Sequence, residues 1–162
     1  MLDEIDRKIL DLIQANARLS NAELGERVGL APSSVHTRVK RLEHEGVILG
    51  YHAQIAPQLV GKGILAFMRL SFGSTETQSL GQIKTALREL CAVEPDILEC
   101  HNVAGEDCYV LKLRASDTER LEELITVIRN CARSSRSVTS IVLSTFKESC
   151  AVRPFAPDDK KL

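Results

Sequence analysis

Apolar residues recur at helical spacing from the start of the chain: Ile5, Ile9, Leu12 and Ile13 fall on one face between residues 3 and 15, behind Asp3, a residue suited to cap a helix. Residues 20–48, S-N-A-E-L-G-E-R-V-G-L-A-P-S-S-V-H-T-R-V-K-R-L-E-H-E-G-V-I, repeat that spacing twice, on either side of V-G-L. Ser20 and Glu23 form an S-x-x-E capping box that starts a helix at Asn21, and Gly29 supplies the positive φ that ends it. Pro32 suits the first position of the next helix, where its missing N–H costs nothing, and Gly46 suits the position just past the end. At about 100° per residue, Val39 and Leu42 lie within roughly 40° of Val35 and form the inward stripe. Ser33, Thr37, Lys40, Arg41 and His44 then face the open side, with His36 and Arg38 on the flanks.

The period changes beyond residue 46. Residues 47–57 read as a strand and connector, and Pro57, Gly61 and Gly63 mark a boundary. Residues 64–73 read as a strand, and 76–91 as a helix with Leu80, Ile83, Leu87 and Leu90 on one face and a capping box from Thr75 to Gln78. A strand at 96–104, a turn at Gly105, Glu106 and Asp107, and a strand at 108–115 follow. Ser116 with Glu119 caps a helix over 117–132 whose apolar face is Leu121, Leu124, Ile125 and Ile128, and 138–147 is the last strand. The chain is therefore predicted to be α+β. A winged-helix-like helix-turn-helix domain over 1–50 and a strand or linker over 51–62 precede a ferredoxin-like βαββαβ domain over 63–148. Residues 149–162, with Pro154 and Pro157, are expected to form a flexible tail. Two helices cover one face of such a sheet, so the apolar runs I-L-A-F-M and T-S-I-V-L ask for a second cover, most simply a symmetric partner.

Composition narrows the function. The 162 residues are 44% apolar but only 4% aromatic, so the core is aliphatic, and the net charge of -1 leaves any affinity for DNA to a local patch. Arg38, Lys40 and Arg41 supply that patch on the second helix of the helix-turn-helix, a layout that reads DNA in the major groove. The candidate DNA-contacting residues are Ser33, Ser34, His36, Thr37, Arg38, Lys40, Arg41 and His44. Replacing Arg41 or Lys40 by Ala is expected to weaken binding and leave the fold intact. The lack of a leader-like segment or an apolar run of ~18 residues predicts a cytoplasmic protein with no membrane partner. Five cysteines without C-x-x-C spacing read as small core residues, and Cys100 and His101, adjacent on a strand, point to opposite faces and form no metal site. The four histidines are scattered at 36, 44, 52 and 101, and no nucleophile, base and orienter stand at recognisable spacing, so neither an enzyme nor a resident cofactor is expected.

Three stretches resemble the Lrp/AsnC, or feast-or-famine, regulators: L-D-x-I-D-R-K-I-L from Leu2, the V-G-L turn with S-S-V-x-x-R-V-K-R-L-E-x-E-G-V-I-x-G-Y from Ser33, and V-A-G-E-D-C-Y from Val103. The resemblance implies a transcriptional regulator that responds to an amino acid, with a C-terminal domain of the RAM type that dimerises and often builds octamers of four dimers. It implies effector binding between C-terminal domains, lined by Val103, Ala104, Gly105, Glu106, Asp107 and Cys108 together with Thr139, Ser140 and Ile141. Turn N–H groups would hold the effector's carboxylate, and Glu106 or Asp107 its ammonium group. The chain departs from the family in three places: Cys108 stands where many members have Asp, Ala31 where many have Ser, and S-S-R-S-V replaces L-P-G-V, suggesting a longer or more polar loop. Siroheme decarboxylases look similar in architecture, and a multimer with several basic helices also suits an architectural protein that wraps DNA, so these stand as alternatives.

Overall fold

The computed structural model describes residues 2–72, 80–105, 108–133 and 136–154. The chain divides into two compact units: Met1–Gln54 with the described residues from Lys147 on, and Ile55–Phe146.

The first unit contains α1 (Glu4–Ala15), α2 (Asn21–Val28) and α3 (Pro32–His44). Each begins where its local chemistry dictates. Asp3 caps α1 in a reciprocal box with Asp6, and Ser20 caps α2 in the box with Glu23. Gly29 ends α2 with φ 74, and Ala31 precedes Pro32 with an extended backbone but no side-chain cap. Ile9, Leu24, Val35 and Val39 form the core, flanked by Ile5, Leu12, Ile13, Leu19, Val28, Leu30 and Ile48. Residues 47–57 do not form the expected strand. The N–H groups of Val47 and Ile48 turn back to the Leu42 carbonyl, residues 51–56 carry no regular structure, and Pro57–Val60 is a short 3-10 helix. A lone strand with no ladder partner in the same chain leaves its backbone groups to water, which removes the reason to extend.

Residues 149–154, expected to begin a free tail, instead lie along α1: the Gln14 amide donates to the Val152 carbonyl at 2.9 Å and accepts the Val152 N–H at 2.7 Å. Residues 155–162 lie outside the described residues.

The second unit runs β1 (Ile64–Ser71), α4 (Leu80–Val93), β2 (Ile97–Asn102), β3 (Tyr109–Ala115), α5 (Thr118–Ala132) and β4 (Arg136–Ile141). The antiparallel sheet has the order β2-β3-β1-β4, as a βαββαβ unit requires. Ala66, Met68, Leu70, Leu111 and Leu113 point to the helices and meet Ile83, Leu87, Leu121, Leu124 and Ile128 in one core. The start of α4 and its expected Thr75–Gln78 cap lie outside the described residues. Asp117, not Ser116, caps α5 by accepting from the Arg120 N–H at 2.8 Å; the Ser116 hydroxyl supports that carboxylate instead.

β4 starts two residues before the expected position and stops at Ile141, six residues short of it. Its partner explains the stop: Ile141 pairs with Ala66, and β1 begins only two residues earlier, after Gly63. α5 ends at Ala132 and β4 begins at Arg136, and Arg133 between them takes the left-handed conformation at φ 45. The sheet's second face also differs from the apolar surface expected, because pairing places Phe67, Val110 and Val138 there among Arg69, Lys112, Glu99 and Ser140. Val142 and Leu143, the last two residues of T-S-I-V-L, lie beyond the strand, and Leu143 is almost fully exposed.

Candidate functional site

α3 presents the candidate DNA-reading surface. Val35, Val39 and Leu42 are 0%, 9% and 0% exposed, so the inward stripe is the one that helical spacing assigns. Ser33, Ser34, His36, Thr37, Lys40, Arg41 and His44 are exposed on the other side, and Arg38 is partly covered. α2 holds the angle of this helix through Gly25, a residue that sequence spacing does not single out. A Cβ there would overlap the Leu30 carbonyl oxygen, because the chain leaving Gly29 crosses directly over that turn of α2. The spacing signal was weak: a glycine four residues before another is an ordinary helix blemish until the turn is folded.

The polar groups on α3 are not all free. The Thr37 hydroxyl donates to the Ser33 carbonyl at 3.0 Å, leaving its lone pairs outward, and the Asn21 amide lies 3.3 Å from His36 Nδ1. Lys40 pairs with Glu43 at 2.8 Å, and the Tyr51 hydroxyl donates to the same carboxylate at 3.0 Å. Lys40 first, then Tyr51, holds Glu43 below the usual carboxylate range, while burial and then Glu43 push Tyr51 up. Arg38 and Arg41 both reach back to Asp6 on α1, at 2.8 and 2.5 Å, and Arg38 also reaches Asp3 at 2.6 Å. The basic patch is thus largely balanced within the unit. Arg41→Ala, expected to be neutral for the fold, would strip a buried carboxylate of one partner and destabilise it.

The second candidate surface divides in a single chain. Val103, Ala104, Gly105 and Cys108 sit at the β2–β3 hairpin, where the Val103 N–H donates to the Cys108 carbonyl at 3.0 Å and the Cys108 N–H to the Leu70 carbonyl at 2.8 Å. Gly105 has φ 137, a conformation L side chains rarely adopt. Glu106 and Asp107 lie outside the described residues. Thr139, Ser140 and Ile141 pair with Met68, Phe67 and Ala66 on the far side of β1, two strand spacings or ~10 Å across the sheet from β3. One chain therefore does not bring the hairpin and β4 residues together.

Below the hairpin, Tyr109 is 6% exposed and meets Phe72 edge-on with ring centroids 6.0 Å apart. Burial first, then neighbouring Cys91, pushes the Cys100 thiol up to about 12, which makes it a packing residue rather than a nucleophile. Among the described residues no group of three or more His, Cys, Asp or Glu side chains could hold a metal ion, and no helix is long and apolar enough to cross a membrane.

Comparison with known proteins fits this division. A winged helix-turn-helix DNA-binding family model matches residues 2–48, and the Lrp/AsnC ligand binding domain model matches residues 65–152. The chain is 36% identical over 148 residues to the proline dehydrogenase transcriptional activator of Rhizobium radiobacter, covering 91% of this chain and 92% of that one. It is 38% identical over 124 residues to the leucine-responsive regulatory protein of Escherichia coli (strain K12), covering 76% and 73%. The structure of a feast or famine regulatory protein from M. tuberculosis complexed with L-methionine superposes with a TM-score of 0.84 at 34% identity, over 95% of this chain and all of that chain. With the ligand-binding model spanning more than half of its length and relatives matched across both units, the chain belongs to the Lrp/AsnC family of DNA-binding transcriptional regulators.

Proposed function

We propose that this protein is a sequence-specific regulator of transcription in the cytoplasm whose binding to DNA, or whose assembly, responds to an amino acid. The observation that carries the reading is α3: a helix pinned along Val35, Val39 and Leu42 that exposes Ser33, Ser34, His36 and Thr37 at its start. Residues at that end of a recognition helix reach base edges, and Lys40 and His44 further along suit phosphates. Relatives named as leucine-responsive or solved with L-methionine support an amino acid as the effector class. In this reading the hairpin from Val103 to Cys108 on one copy and Thr139, Ser140 and Ile141 on another line the effector site, because two copies can bring together what one sheet separates. The amides of Ala104 and Gly105 and the carboxylates of Glu106 and Asp107 take the two ends of the amino acid.

Exposed apolar side chains favour self-association over a monomer: Leu49, Leu59, Leu143 and Phe146 are 92%, 87%, 97% and 99% exposed. A dimer, and an octamer of four dimers, would space the α3 helices on DNA. No resident cofactor or metal is required. The named relatives are regulators, which favours this reading over the decarboxylase-like one.

The test is binding to the region upstream of the protein's own gene and to competitor DNA at fixed salt, with and without a panel of amino acids. A clear preference for the upstream fragment that one amino acid shifts is expected. Equal affinity for both DNAs, unmoved by every amino acid, would overturn it. Lys40→Ala should reduce the slope of log affinity against log salt by about one.

A further inference from the structure

Asp6 is 0% exposed, unlike an ordinary capping residue. Its place at the third position of α1 explains one contact: the Asp3 N–H donates to its Oδ2 at 3.1 Å, completing the capping box. The remaining acceptor capacity is turned away from α1. Oδ1 accepts from Arg38 Nη1 and Oδ2 from Arg41 Nη2, so one carboxylate takes two guanidinium groups from the same face of α3. Asp3, half exposed, shares the Arg38 Nη1 contact.

Two consequences follow from the chemistry of the fork. Each guanidinium has five N–H donors in a fixed plane, and anchoring one of them aims the others. Arg41 remains 42% exposed while held, and among the described residues its one further acidic partner is Glu45, 4.0 Å from Nε. An anchored arginine also has less rotamer freedom left to lose when a ligand arrives. Against this, its charge is already balanced by the aspartates, so it displaces fewer counterions from DNA than a free arginine does.

We propose that Asp6 is a positioning residue for DNA recognition: it holds Arg41, and with Asp3 holds Arg38, as pre-ordered phosphate donors that favour the fitted site over general attraction to DNA. This rests on the reading of α3 as the DNA-facing helix. Asp6 touches no nucleic acid itself. It acts through the two arginines.

The test measures affinity for the preferred and competitor DNAs across a salt series in the full-length protein. In Asp6→Asn the freed guanidiniums should steepen the salt slope by about one, while the ratio of preferred to competitor affinity falls roughly tenfold, the effect of ordering two side chains anew. A purely structural role would lower both affinities without steepening the slope. Arg41→Lys keeps the charge and loses the fork, so the ratio should fall with the slope unchanged. If Asp6→Asn does not fold, Asp3→Asn and Arg41→Lys decide: a lower ratio in both supports the anchor, and an unchanged ratio in both overturns it. An unchanged ratio and slope in folded Asp6→Asn overturns it too. If the unmodified protein prefers no DNA, the underlying reading of α3 fails instead.

Discussion

Asp6 and Asp96 are both buried aspartates, 0% and 5% exposed, and each gathers two cations from distant parts of the chain. Asp96 takes Lys62, just ahead of β1, at 2.6 Å and Arg120, in the first turn of α5, at 3.0 Å. Arg120 is then used up: its Nη2 reaches Glu94 at 2.7 Å and its Nη1 reaches Glu123 at 3.2 Å. Asp6 takes both cations from one helix, three residues apart, and leaves most of the Arg41 fork open. A carboxylate whose cations come from separate segments fastens those segments together. One whose cations share a helix with an open face fixes how that face is presented. The remaining donors of the arginine, rather than the burial of the acid, separate a fastening from a positioning device.

The largest effect that would test this contrast is in the second unit. Burial alone would push Asp96 up, but Lys62 and Arg120 together outweigh it and hold the carboxyl below its usual range. Asp96→Ala leaves both cations without their shared partner and should cost about 2 to 3 kcal/mol, less than a fully buried pair because Lys62 and Arg120 are each about a third exposed. Denaturant unfolding followed in the second unit measures it. The ratio of preferred to competitor DNA affinity, taken where the protein is folded, should stay unchanged. A drop in that ratio equal to that of Asp6→Asn would erase the distinction.

The next effect asks whether α3 is placed by its ion pairs or by backbone contact. Gly25→Ala puts a Cβ onto the Leu30 carbonyl, a group that cannot swing aside as a side chain would. A loss of about 2 kcal/mol confined to the first unit is expected, close to other overpacked sites. A neutral result would mean that α2 and the V-G-L turn yield easily, leaving Asp6 as the principal constraint on the helix.

How these parts could be read from the sequence follows the same division between local and distant. Ser20, Gly29, Pro32 and Gly46 act within a turn of their own position, so their roles were legible, as was the stripe of Val35, Val39 and Leu42. The α5 cap slipped by one because Ser116 and Asp117 offer the same chemistry side by side, and only the backbone decides which oxygen meets the Arg120 N–H. The Asp6 pairs join residues 32 and 35 positions apart, and nothing in the spacing of Arg38 and Arg41 distinguishes an anchored arginine from a free one. The strand expected over 47–57 and the late end of β4 failed for a related reason: a strand exists only where a partner runs beside it. Apolar residues occur in both stretches, yet side chains such as Leu49 and Leu143 are exposed.

A smaller effect separates Asp3 from Asp6. The Asp6 backbone N–H first, and Arg38 next, hold Asp3 at about 2, below its ordinary 3.8. Because the folded value is the lower one, the ionised carboxylate supports the folded first unit above about pH 4, and that support is lost as pH falls toward 2. Asp3→Asn should therefore flatten the dependence of stability on pH across that window. Melting of the variant at a series of acid pH values checks it. An unchanged slope would mean that the cap and Arg38 contact are not maintained in solution, weakening the two-aspartate form of the anchor.

The smallest effect tests the placement of α3 without touching either cluster. Ala31 occupies the cap position with φ -62 and ψ 145, the backbone that a capping serine adopts, yet it has no side-chain oxygen to offer the first turn. Ala31→Ser adds a side-chain acceptor at the start of the helix, where the backbone carbonyl of residue 31 already takes the Ser34 and Val35 N–H groups, and should stabilise the first unit by about 0.5 to 1 kcal/mol. A small upward shift in melting is the expected result. The same serine puts a hydroxyl beside Ser33 and Ser34, so DNA affinity should be measured in parallel. A gain in stability with an unchanged preferred-to-competitor ratio would show that the start of α3 was already in place, and that specificity does not depend on how firmly its first turn is wound.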